Sequence, residues 1–223
     1  MIISIDGPAG SGKSTIAKML AKNLGFTYID TGAMYRAIAL NVKKHGVNPE
    51  DKKAVVQLMK NTFIKLKPGK NGIKVYLGDE DISEDIRTEE IGKIASIIAR
   101  HSEVREILVK MQREMGIKAG NVVIEGRDTG TVIFPDADIK IFLTATPEVR
   151  ARRRFEELKN KGLEVSYHQI LKEVKERDFI DRTRKDSPLK PAHDAVVIDT
   201  SNLTIEDLLA KIIKLVKQKD SLP

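Results

Sequence analysis

The stretch Gly7-Pro8-Ala9-Gly10-Ser11-Gly12-Lys13-Ser14 has the residue types and spacing of a phosphate-binding loop, G-x-x-x-x-G-K-[ST]. Phosphate oxygens must approach such a backbone closely, so Cβ atoms are unwelcome at Gly7, Gly10 and Gly12. The N–H groups of the loop form an anion nest, and the helix that starts near Lys13 adds the positive end of its dipole. The Lys13 ammonium has the reach to meet β- and γ-phosphates. The hydroxyl of Ser14, with Thr15 beside it, suits Mg²⁺. The embedded Gly10-Ser11-Gly12 is not a dinucleotide fingerprint, because its third glycine position is Thr15. These residues read as a grip on the phosphates of a nucleoside triphosphate.

Kinases, switches and motors all use such a loop, and other residues must separate them. A guanine-reading switch needs Asn-Lys-x-Asp. The nearest string, Asn160-Lys161-Gly162-Leu163, lacks the Asp, and D-x-x-G occurs nowhere. A motor usually ends a hydrophobic strand in Asp, whereas Val122-Val123-Ile124 ends in Glu125, followed by Gly126-Arg127-Asp128. What the sequence offers instead is arginine: Arg36, Arg105 and Arg127, a run from Arg150 through Arg152 and Arg153 to Arg154, then Arg177, Arg182 and Arg184. Two highly charged substrates repel, and forked guanidinium groups neutralise phosphates while staying charged. Arg127, beside Asp128 and glycines at the C-terminal end of a strand, stands where open α/β sheets bind ligands. The run from 150 to 154, taken alone, reads rather as a solvated helix face. The chemistry expected is transfer of a terminal phosphate to a small acceptor.

The elements that must position these residues follow from periodicity. Ile2-Ile3-Ser4-Ile5 is a short β-branched run, read as a buried strand ending at the loop. Ile16, Met19, Leu20 and Leu24 recur at helical spacing up to Gly25. Phe26 to Ile29 reads as a second strand, and Thr31-Gly32 opens a helix from Ala33 to about Lys44. Strand, helix, strand, helix is the order of a parallel sheet covered on both faces. A short helix at about 50–60 then leads to two strands, 63–67 and 73–77, around Pro68-Gly69-Lys70-Asn71-Gly72, which is hairpin chemistry. Residues 62–87 thus read as a small antiparallel insert. Thr88 and Ser102 are expected to cap the next two helices. Strands are expected at 122–125 and 139–143, a charged helix at 147–161, and a second from Tyr167 into 177–186. A last strand at 195–198 and an amphipathic helix capped by Thr204 complete a single domain with five core strands.

Composition narrows the partners. A chain of 223 residues fits one α/β domain, and no run approaches the ~18 apolar residues of a membrane span. Met1 to Asp6 carries no basic leader, so no secretory signal is expected. Zero cysteines exclude disulfides and thiolate metal sites and suit the cytoplasm. A net charge of +7 raises nucleic-acid binding, but aromatics are 4%, Trp is absent, and none interleave with the basic stretches as a stacking platform requires. The surplus reads as surface lysines on a phosphate-handling enzyme with no nucleic-acid or membrane partner, expected to be a monomer. The rivals are another small-molecule kinase, with a different nucleotide or a hydroxyl as acceptor, and a nucleic-acid-binding ATPase.

Over nearly its whole length the chain resembles the bacterial cytidylate kinases. The likeness rests on the run from Ile5 to Ser14, on Asp30-Thr31-Gly32-Ala33-Met34-Tyr35-Arg36, on Gly126-Arg127-Asp128-Thr129-Gly130-Thr131-Val132-Ile133-Phe134-Pro135-Asp136-Ala137, and on Glu176-Arg177-Asp178 through Asp181-Arg182-Thr183-Arg184. It implies a P-loop α/β fold with a five-stranded parallel sheet of order 2-3-1-4-5, a three-stranded insert in the monophosphate-binding region, and a mobile helical lid at about 150–184. It implies transfer from ATP to CMP or dCMP with Mg²⁺. By the same resemblance Arg36, Arg127 and Arg184 would hold the CMP phosphate, and Ser96, Arg105 and Asp128 would read cytosine. Asp181 with Arg177 would bind the ribose hydroxyls, and Thr31 and Tyr35 would line the acceptor pocket. Lys13, Arg127, Arg153 and Arg184 would be the catalytic groups, Arg153 belonging to the lid over ATP, and both Arg153 and Arg184 serving rate rather than stability. Two departures stand out: Ser14-Thr15 replaces the Gly-Thr of many members, and Glu125 replaces an Asp of some.

The residue chemistry agrees with that resemblance. A carboxylate such as Asp128 can accept from the N4 amino group of cytosine, and an arginine such as Arg105 can donate to N3 or O2. A phosphate acceptor has its second pKa near ~6 and is already ionised at neutral pH, so no general base is required. His45, His101, His168 and His193 share no motif that would supply one.

Overall fold

A computed structural model describes residues 1–69 and 72–220. In chain order its elements are β1 (Ile2–Asp6), α1 (Lys13–Leu24), β2 (Thr27–Asp30), α2 (Thr31–Lys44), α3 (Lys52–Lys60), β3 (Ile64–Gly69), β4 (Gly72–Leu77), β5 (Glu80–Asp81), α4 (Glu89–Ile98), α5 (Ser102–Ala119), β6 (Val122–Gly126), β7 (Ile139–Thr144), α6 (Pro147–Asn160), α7 (Tyr167–Thr183), β8 (Val196–Asp199) and α8 (Ile205–Asp220). One sheet has the order β2-β6-β1-β7-β8, with parallel ladders joining β6 to β1, β1 to β7 and β7 to β8. Numbered by themselves in chain order, these five strands run 2-3-1-4-5, the order the resemblance implies.

The chain falls into two compact units, Met1–Thr27 with the segment from Asn121 onward, and Tyr28–Gly120. In the first, β1 and β6 are buried along almost their whole length, the burial of strands covered on both faces. Ile16, Ala17, Leu20 and Ala21 form the buried stripe of α1, which Gly25 closes in the left-handed region. Leu208, Ile212 and Val216 give α8 its buried stripe at i, i+4, i+8. Thr204 accepts a hydrogen bond from Asp207 N at 3.1 Å and caps that helix as expected.

In the second unit, Met34, Ile38 and Val42 of α2 share a core with Val55 of α3, Ile91 of α4 and Leu108 of α5. The antiparallel sheet β3-β4-β5 lies inside the 62–87 insert. Lys70 and Asn71 of its expected turn fall outside the described residues. The starts of α2 and α5 differ from expectation in position or in cap. α2 begins at Thr31 and is capped by the Asp30 carboxylate, which accepts from Ala33 N at 3.0 Å. Thr88 caps α4 as expected. Ser102 does not cap α5: it is the first helical residue, and His101 occupies the cap, its carbonyl accepting from Arg105 N at 3.1 Å.

One buried ion pair ties α6 to α7. Arg150 is 1% exposed. Its guanidinium meets Asp178 through two bonds, Nη1 to Oδ1 being 3.0 Å, and also donates to the carbonyls of Ala145 and Ala9. Removing one partner of such a pair strands the other's charge in the interior. Asp178→Ala is therefore expected to cost about 3–5 kcal/mol of stability. A urea titration reads this as a lowered midpoint, and an unchanged midpoint would refute it.

Candidate active site

The phosphate loop links β1 to α1. A Cβ at Gly7 would lie 2.2 Å from the carbonyl oxygen of Leu143, so no larger residue fits there. Gly12 has open space around it but sits at φ +87°, where its need for glycine is conformational. The loop carbonyls are held from outside. Pro8 O accepts from Lys13 Nζ at 3.2 Å, Ala9 O from Arg150 Nη1 at 3.1 Å, Gly10 O from Arg153 Nη1 at 3.3 Å, and Ser11 O from the Thr200 hydroxyl at 3.2 Å. A planar trans peptide points the following N–H the opposite way, so the bracing of the Ala9, Gly10 and Ser11 carbonyls turns the N–H groups of Gly10, Ser11 and Gly12 away from those side chains.

Arg150 was left among solvated residues by sequence reasoning, which missed this buried bracing role. Arg153, expected over ATP, has its guanidinium on Thr200, at 3.1 Å from the hydroxyl and 2.6 Å from the carbonyl, as well as on Gly10. Of the two candidate metal-binding hydroxyls, that of Ser14 donates to Glu125 Oε2 at 2.8 Å. Glu125 is 2% exposed and lies at the end of β6.

Residues expected on the acceptor side of the chemistry gather in the same unit. Arg127 Nε donates to Asp181 at 2.9 Å. Arg184 lies 3.9 Å from Asp181 and 4.0 Å from Asp128, and its Nε donates to Ser187 O at 2.7 Å. Burial raises the Asp181 pKa, but Arg127, Arg177 and Arg184 outweigh it and hold the carboxyl below its ordinary range. Burial likewise works against the Arg127 charge, and Asp181 overcomes it. Three guanidinium groups thus face the carboxylates of Asp128 and Asp181, and Glu125 and Asp6 add their negative charge on the Arg127 side.

In the Tyr28–Gly120 unit, Arg36 on α2 donates to Ile86 O at 3.2 Å, and Thr31 is buried at the start of the same helix. The Arg105 guanidinium lies 5.7 Å from the centre of the Tyr35 ring, with Nη1 donating to Ala99 O at 3.3 Å. Ser96 bonds back to Gly92 O at 3.0 Å. Among the described residues no cluster of three or more His, Cys, Asp or Glu could hold a metal, and no helix is long and apolar enough to cross a membrane.

Asp6, which sequence reasoning gave no role, is the remaining buried charge at the loop. Its carboxylate accepts from Thr129 N, the Thr129 hydroxyl and Gly130 N, each at 2.8 Å. Burial, reinforced by the Asp128 charge, outweighs these bonds and raises its pKa to about 6.

Against known proteins, the family model described as cytidylate kinase matches residues 3–218. A cytidylate kinase of Caldicellulosiruptor bescii is 51% identical over 213 residues, 96% of this chain and 94% of that protein. One of Carboxydothermus hydrogenoformans is 47% identical over 220 residues, 99% of each chain. Among solved structures, the shikimate kinase of Bacteroides thetaiotaomicron aligns with a TM-score of 0.50 at 14% identity, covering 97% of this chain and 98% of that one. At that identity the likeness speaks for the fold alone.

Proposed function

The chain belongs to the cytidylate kinase family, and from that premise we propose that it transfers the γ-phosphate of ATP to CMP or dCMP, giving ADP and CDP or dCDP. The observation that carries the reading is the cluster of Arg127, Arg177 and Arg184 around Asp181, with buried Asp128 within 4.0 Å of Arg184. A monophosphate bearing an amino-substituted base asks for that combination of guanidinium groups and a carboxylate. On this reading Arg127, Arg184 and Arg36 hold the acceptor phosphate, while Asp181 and Arg177 meet the ribose. Asp128, Arg105 and Ser96 read cytosine, and Thr31 and Tyr35 line the acceptor's surroundings. The acceptor oxygen arrives ionised, so no side chain need remove a proton.

On the donor side, Gly7 to Thr15 cradle the triphosphate and Lys13 meets its β- and γ-oxygens. Ser14 and Glu125 fit Mg²⁺, which is commonly held by few protein oxygens together with substrate phosphates. When bound, the ion supplies charge neutralisation at the phosphates. The segment 150–184, which takes in most of α6 and all of α7, would form the lid that excludes water, its helices joined through Arg150 and Asp178. The insert at 62–87 would close over CMP. Zero cysteines suit a reducing compartment, and the reading is a monomer acting in the cytoplasm.

An ADP-release assay with CMP, dCMP, UMP and AMP tests the proposal. Uracil would set a carbonyl against Asp128 and leave the carboxylate unpaired, which costs about 1–3 kcal/mol. CMP is therefore expected to exceed UMP in kcat/KM by roughly 5- to 150-fold at neutral pH. Equal rates with UMP would remove Asp128 from its role, and no turnover of CMP would overturn the whole reading.

A further inference from the structure

Asp6 is the last residue of β1 and the residue before the phosphate loop, yet the transfer described above makes no use of its carboxylate. It is 5% exposed. The three donors that meet it, at 2.8 Å each, belong to the start of one turn of π-helix, Thr129–Ile133. That turn hangs on the Asp128 carbonyl, which accepts from Val132 N at 2.9 Å and Ile133 N at 3.2 Å. It is seated tightly: a Cβ on Gly130 would lie 2.7 Å from the Ser4 hydroxyl and 3.3 Å from Lys140 Cγ.

The register of the sheet adds a second attachment. Asp6 pairs with Gly126 across the β1–β6 ladder. The chain therefore leaves Asp6 at Gly126 and returns to its carboxylate at Thr129. The two residues between these attachments are Arg127 and Asp128, and the residue after Asp6 is Gly7, where the phosphate loop begins.

We propose that Asp6 is a positioning residue for the transfer: by pinning both ends of the 126–129 bridge, it sets Arg127 and Asp128 in register with the phosphate loop. A turn held only for stability does not need an ionisable group in a dry interior, where a carboxylate is costly. A carboxylate is suited to this place because its two oxygens accept all three bonds at once and donate none. The inference rests on the cytidylate kinase reading given above.

The test uses three variants of the full chain. Asp6→Asn presents an NH₂ to a backbone N–H, so the turn must shift. Thr129→Val deletes one of the three bonds at nearly constant shape, and Thr129→Ser restores it. Misplacement by about 1 Å can cost ~10²-fold, and Asp6→Asn is expected to lose about that much kcat/KM for CMP, with KM for ATP within about threefold of wild type. The ratio of kcat/KM for CMP to that for UMP should narrow by at least about fivefold, because Asp128 is displaced from the group it reads. Thr129→Val should narrow the ratio by about threefold, and Thr129→Ser should keep the wild-type value.

A wild-type enzyme that makes no CDP would defeat the kinase reading itself. A wild type that makes CDP, with an unaltered CMP-to-UMP ratio in Asp6→Asn and Thr129→Val, overturns the positioning role even if the melting temperature falls. Should Asp6→Asn not fold, the ratio in the Thr129 pair decides.

Discussion

Replacing Lys13 with methionine is expected to lower ATP-dependent CDP formation by about 10³-fold while moving the melting temperature by no more than about 4 °C. The ammonium opens α1 and donates to the carbonyl of Pro8 at 3.2 Å. Methionine keeps most of the stem's volume and deletes the charge. The transferring phosphoryl spreads negative charge over its oxygens, and on the proposed reading the Lys13 ammonium, held beside the loop, meets that charge. The lost bond to Pro8 is worth only about 1 kcal/mol, which sets the small thermal shift. Neighbouring cations cannot substitute. Arg150 is committed to Asp178 and Ala9, and Arg153 to Thr200 and Gly10. Undiminished CDP formation in the variant would end the reading of this loop as a triphosphate grip. A melting temperature lowered by more than ~10 °C, with activity recovered on cooling, would instead make the lysine a prop for the loop.

The loop and the parallel α/β class were legible in the sequence because both are written locally, whereas the strand order came with the family resemblance. A β-branched run, a glycine-rich turn and a helical stripe sit within the first 25 residues, and the strand–helix alternation repeats the pattern. What was not legible depends on partners far along the chain. Arg150 looks like one charge among four on a helix face, and only Asp178, 28 residues on, shows it to be buried and paired. Arg153 belongs to the same run, and its attachment to Thr200 lies 47 residues away. Asp6 meets donors 123 and 124 residues later. It left one overlooked signal, a carboxylate ending the otherwise β-branched strand Ile2-Ile3-Ser4-Ile5, where a doubly covered sheet would bury it. The π-turn at 129–133 had no such signal, since Thr131-Val132-Ile133 favour extended backbone by type and are bent by bonds to the Asp128 carbonyl. The cap of α5 moved for a related reason: Ser102 is a good capping residue, but the His101 ring nitrogen contacts the Pro49 carbonyl at 2.8 Å and holds the chain one residue earlier.

Arg127 gives the second large expectation. Arg127→Met is expected to lower kcat/KM for CMP by about 10²- to 10³-fold and to leave KM for ATP within about threefold of wild type. The pairing of Arg127 with Asp181 and its proposed grip on the acceptor phosphate must be separated. Its Nε is committed to Asp181, so the proposed phosphate contact falls to the outer nitrogens of the fork. Deleting the guanidinium also strips Asp181 of the strongest of the three cations that hold it ionised, which destabilises the fold. Arg127→Lys distinguishes the duties. An ammonium can still neutralise Asp181, so the melting temperature should return toward wild type. It cannot grip a phosphate bidentately, so kcat/KM for CMP should stay at least ~10-fold down. Recovery of rate and stability together in the lysine variant would show that a point charge suffices and would refute the forked grip. A methionine variant that melts early but turns over CMP normally would confine Arg127 to its pairing with Asp181 and leave the acceptor phosphate to other groups.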